Sequence, residues 1–132
     1  MTRVAMVLCA TLLAHPTHAA SPYALPRSAV ITVGRAQFDP QRAAESQFCP
    51  TWTLTAAQVR SQFRRYHLLQ SNELHQFYLY PACWIDGTVM AGGRTFHWQA
   101  RPGSTLRTDW PDGVEKMLGG EHSDNPSGAP SP

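Results

Sequence analysis

Apolar and polar positions along this chain follow two different periods, separated by turn residues. From Trp84 to Ala91 and from Arg94 to Arg101 they alternate with period two, as in half-buried strands. Gly92-Gly93 lies between the two runs and can supply the positive φ angles of a two-residue hairpin turn. That turn sets a register. Val89 faces Phe96, Gly87 faces Trp98 and Ile85 faces Ala100 on one side of the hairpin. Thr88 with His97, Asp86 with Gln99 and Trp84 with Arg101 occupy the other. A slip of one residue would mix the two sets, so the alternation itself supports the register. Gly87 leaves room for the Trp98 indole, and Arg101 is placed to stack on the Trp84 ring.

The period lengthens after Thr55. Val59, Phe63 and Tyr66 recur at i, i+4 and i+7, giving one apolar helical stripe. Thr55-Ala56-Ala57-Gln58 matches a capping box, in which threonine and glutamine side chains satisfy free backbone N–H groups. Arg60, Arg64 and Arg65 fall mostly off the stripe. They read as a solvated helix face, with contact to an acidic partner as the functional alternative.

Shorter signals flank these two elements. Ala29–Val33 is β-branched and ends at Gly34, after an irregular arm over 20–28 that carries Pro22 and Pro26. Residues 34–54 are interrupted by Pro40 and Pro50, with Trp52 tucked into the core. His75–Tyr80 suits a strand closed by Pro81. Thr105–Trp110 suits another, with Leu106, Thr108 and Trp110 on one side. Pro111-Asp112-Gly113 is a turn signal, and Val114–Leu118 a last short strand. The predicted fold is α+β. One main helix packs on a four- to five-stranded antiparallel meander, its stripe over Val89, Phe96 and Trp98.

The two ends of the chain have other characters. Arg3, the eleven-residue apolar run Val4–Ala14 and the small residues Thr17 and Ala19 form a signal-peptide pattern, with cleavage expected after Ala19. The run is too short to span a bilayer, and no other segment is apolar enough to do so. Residues 20–118 are expected to form a single domain. Residues 119–132 hold three Gly and three Pro and are expected to be a disordered tail. The reading is an exported chain, placed in a bacterial periplasm.

Removal of the leader, with Cys9, leaves Cys49 and Cys83. In an oxidising compartment the two most simply form one disulfide, closing 34 positions. Loop closure over that span is worth about 3.5–4 kcal/mol in the chain-entropy view. The alternative, metal-binding or catalytic thiols, has neither a C-x-x-C pair nor a histidine within three residues to support it.

Composition narrows the function classes. The 132 residues carry 11 basic and 9 acidic side chains, a formal charge of +2 that falls to about +1 without Arg3. Electrostatic nucleic-acid binding is therefore unattractive. There is no G-x-S-x-G elbow, S-x-x-K, H-E-x-x-H, P-loop or dinucleotide fingerprint, and no catalytic residue or cofactor is assigned. Of the histidines, His67 is read as ending the helix, and His122 lies in the tail. His75 and His97, with Met90 or Asp86, are the weak candidates for copper or zinc, at spacings of no standard site. Asp86 with His97 is the remaining pair for a small envelope hydrolase. Trp84 and Arg101, with Arg64 and Arg65, are the candidate interaction residues, since Trp and Arg dominate interface energetics. A second small core under residues 34–54 is the structural alternative for Trp84.

Three stretches together resemble a group of small, mostly uncharacterised exported bacterial proteins. They are Leu54-Thr55 through the helix, Pro81-Ala82-Cys83-Trp84-Ile85-Asp86-Gly87-Thr88, and Gly93-Arg94-Thr95-Phe96-His97-Trp98 with Asp112-Gly113. Some members carry a further cysteine after the last strand, where this chain has Leu118-Gly119-Gly120. The resemblance implies export and the same fold class, and transfers no catalytic residue. The expected function is that of a periplasmic, non-enzymatic accessory, inhibitor or immunity-type factor that binds another envelope protein. The alternative is a binder of a metal ion, copper above all, or of a small ligand.

Overall fold

The alternating runs become the two longest strands, β4 (Cys83–Ala91) and β5 (Arg94–Arg101), of a computed structural model that describes residues 21–45, 49–74, 78 and 81–120. Gly92 and Gly93 take φ of 58° and 74°, as the two-residue turn requires. The register is the expected one, with Val89 opposite Phe96, Gly87 opposite Trp98 and Ile85 opposite Ala100. The meander continues through β6 (Thr105–Thr108) and β7 (Lys116–Gly119).

Three more strands complete the sheet. β1 (Val30–Val33) and β2 (Gln37–Phe38) pair in succession with β4, while β3 (His67–Leu68) pairs with β7 at the opposite edge. The order is β1-β4-β5-β6-β7-β3, with β2 beside β4, and every pairing is antiparallel. The described residues thus form seven strands rather than four or five. The two unforeseen strands have two residues each, too short to show any periodicity. One of them revises the reading of His67, which lies in β3 beyond the helix and approaches Glu73 at 3.8 Å.

α1 (Ala56–Arg65) opens with the full capping box. Thr55 Oγ1 accepts from the Gln58 N–H at 3.1 Å, and Gln58 Oε1 accepts from the Thr55 N–H at 2.8 Å. The helix carries the chain from the β2 edge of the sheet to the β3 edge, crossing one face. On that face Val59, Phe63 and Tyr66 bury against Ile85, Val89, Phe96, Trp98, Leu106 and Leu118. Trp98 lies against the Cα of Gly87, where an added Cβ would come within 2.6 Å of the indole. Trp52 and Trp110 pack on the rim of this core, Trp110 meeting Phe96 edge-on with ring centroids 4.9 Å apart.

The arm before β1 is tied down. Arg60 donates to the carbonyls of Pro26 at 2.9 Å and Ala29 at 2.7 Å, and Trp110 Nε1 donates to Tyr23 O at 3.1 Å. One member of the helix arginine cluster is therefore a structural clamp. The Cys49–Cys83 disulfide joins the segment before the helix to the start of β4. At the other end, the sheet extends past the expected limit at Leu118. Gly119 belongs to β7, and Gly120, also buried, donates to Ser104 O at 2.9 Å. Of the strand expected over 75–80 only Tyr78 is described. It lies outside any strand, buried, with its hydroxyl donating to Gly120 O. The expected leader and the rest of the expected tail, residues 121–132, lie outside the described residues.

Candidate functional site

The pleat sends Trp84, Asp86, Thr88, Met90, Thr95, His97, Gln99 and Arg101 to the face of the β4–β5 hairpin opposite the helix. None of these eight is buried. Most are already held by a neighbour. Arg101 stacks on the Trp84 ring with its guanidinium carbon 5.0 Å from the centroid, and donates to Pro81 O at 2.6 Å. Gln37 Nε2 lies 3.1 Å from both carboxylate oxygens of Asp86. Thr88 and Thr32 share a hydroxyl hydrogen bond of 2.6 Å. Asp109 accepts the His97 backbone N–H at 2.7 Å, with its second oxygen 3.6 Å from His97 Nδ1. The face ends at the β1 edge in an exposed apolar pair, Val30 opposite Met90, 57% and 52% exposed.

A second feature lies at the helix side of the molecule. A cleft of about 760 Å³ opens between α1, the segment 51–54 that leads into it and the β5–β6 turn. One of its walls is a polar helical stripe of Gln58, Ser61, Gln62 and Arg65, which repeats at i, i+3, i+4 and i+7 beside the apolar stripe. Trp52 and Thr53 contribute the facing wall, and Tyr66 and Ser104 also line the cleft. Ser104 adopts a φ of 67°, in the left-handed region that non-glycine residues seldom occupy. Burial pushes the Tyr66 phenol above its usual pKa, while a hydrogen bond with Ser104 and the charge of Arg65 pull it partly back. Gln62 Oε1 is buried and has no hydrogen-bond partner among the described residues. An acceptor left in that state costs roughly 1–3 kcal/mol.

The residues singled out from the sequence separate accordingly. Trp84 and Arg101 come together. Trp84, half-buried, pairs with Gln37 of β2, so the 34–54 segment reaches the strand that carries it without enclosing the ring. Arg64 and Arg65 are both exposed in the last helical turn. Arg64 donates to Ser61 Oγ at 3.5 Å, and Arg65 faces the cleft. Asp86 and His97 share a face, but each has a different partner, Gln37 and Asp109 respectively. His75 lies outside the described residues. His97 and Met90 remain exposed on the sheet, and among the described residues no three His, Cys, Asp or Glu side chains form a group able to hold a metal. The cleft was not anticipated, although the spacing of its helical wall is visible in the sequence.

No family model, curated protein or solved structure matches this chain.

Proposed function

We propose that the protein is an exported, non-enzymatic accessory, inhibitor or immunity-type factor that binds another protein of the cell envelope. The docking surface is the helix-free face of β4 and β5. The observation that carries this reading is the set of side chains on that face already fixed by neighbours. Trp84 is held by Arg101, Asp86 by Gln37 and Thr88 by Thr32, while Asp109 holds the backbone of His97. Prior fixing lowers the entropy lost on association. From Trp84 to Met90 the face runs six residues, about 20 Å, at the usual rise per residue. That length suits an interface of ordinary size. Tryptophan, arginine and methionine at the two ends are residue types enriched in interface centres.

The test is recovery of a partner from envelope extract of the host, using oxidised protein lacking residues 1–19. Wild type is expected to recover one stoichiometric partner. Met90→Glu, an exposed change at the far end of the face, should lose it, and Arg64→Glu on the helix should keep it. Equal recovery by all three proteins, or no stoichiometric partner from a folded domain, overturns the reading.

A further inference from the structure

We propose that the cleft beside α1 binds a small acidic sugar, a hydroxyl-rich molecule carrying one carboxylate. Its volume, about 760 Å³, lies in the range of small-ligand sites. Its lining selects for chemistry. Gln58, Ser61, Gln62, Thr53 and Ser104 present amides and hydroxyls, which suit a ligand that both donates and accepts hydrogen bonds along its length. Gln62 lines the cleft, and its enclosed Oε1 has no partner among the described residues, so a turn of the amide toward the cleft would bring it to a donor such as a sugar hydroxyl. Trp52, half-buried, adds an aromatic surface against which the C–H face of a pyranose can lie.

Arg65 supplies the charge, since Arg101, which also lines the cleft, is already committed to the Trp84 ring and to Pro81 O. It is exposed at the end of the helical wall, and its planar guanidinium can meet a carboxylate through two parallel hydrogen bonds. The scaffold is stiff on both sides. The capping box fixes the start of the helical wall, and the disulfide at Cys49 anchors the segment that leads to the opposite wall. Ser104 is held in its unusual conformation through its carbonyl, which accepts from Gly120, and through its hydrogen bond with Tyr66. Of the residues on the β4–β5 docking face only Arg101 also lines the cleft, so substitutions at Arg65 and Met90 test the two proposals separately.

The experiment is calorimetric titration of the oxidised protein with D-glucuronate, followed in parallel by tryptophan fluorescence. D-Glucose and acetate serve as the neutral and the hydroxyl-free comparators. Saturable binding of glucuronate is expected, with either comparator at least about tenfold weaker, the scale of one good charge-assisted contact. Arg65→Ala should weaken glucuronate about tenfold or more and bring it to the level of glucose, while Arg65→Lys recovers part of the loss. Gln62→Leu should weaken both sugars and leave acetate unchanged. Met90→Ala, on the docking face, should change nothing. Near-ultraviolet circular dichroism confirms that each variant is folded. No glucuronate binding up to about 10 mM, a concentration corresponding to a free energy near −3 kcal/mol, overturns the proposal. So does acetate or glucose binding as tightly as glucuronate, or an Arg65→Ala protein that binds it unchanged.

Discussion

Gly87 is where a single hydrogen in place of a side chain decides the packing. An added Cβ would press on the carbonyl of Thr32 and on the Trp98 ring at the same time. The ring is buried under the helix and the carbonyl belongs to the neighbouring strand, so neither yields without moving the core or β1. Gly87→Ala is expected to destabilise the fold by about 3 kcal/mol, at the upper end of overpacking costs, as read from urea melts. Trp98 near-ultraviolet signals should shift with it. Tyr66 gives a residue-scale dependence on pH. Its folded pKa is raised, first by burial. A raised value means that its contribution to stability is complete below the unfolded pKa of about 10 and is lost as pH climbs through the folded value. Tyr66 should ionise late in an absorbance titration. Tyr66→Phe should flatten the alkaline fall in stability.

At the scale of elements, legibility follows the length of the pattern. The hairpin register, the capping box and the helical stripe were all readable, because each repeats a local rule over several residues. Thr55→Ala removes one half of the capping box and should cost about 1 kcal/mol in a denaturant melt. β2 and β3 were not readable, since two residues cannot display a period and both are created by the partner strand. Arg60 was misleading for a related reason. A guanidinium on the polar side of a helix looks solvated until the arm that it clamps is placed beside it. The cleft lies between these cases. Its helical wall is written at positions 58, 61, 62 and 65, but the β5–β6 turn that completes it comes from a distant part of the chain, and the segment 51–54 carries no period.

Over the whole molecule, the disulfide holds together what the sequence separates. It links the segment before the helix to the first residue of β4, 34 positions later. Loop closure of that span is worth about 4 kcal/mol, a large share of the ~5–15 kcal/mol that stabilises an ordinary domain. Replacing both cysteines by alanine should lower the urea midpoint accordingly while leaving the β4–β5 register intact, which amide hydrogen exchange would show as retained protection in the hairpin.

The order of strands carries a kinetic consequence as well. Strands β4 to β7 are each paired with the next in sequence, whereas β1 must find β4 across more than fifty residues, as the pair Val30 and Met90 shows. Contacts closed over short loops form first, because less chain entropy is lost in closing them. Substitutions in the central hairpin should therefore slow folding, and those in β1 should speed unfolding instead. The sheet is expected to grow outward from its middle, with β1 and β3, whose partners lie about fifty or more residues away, seated late.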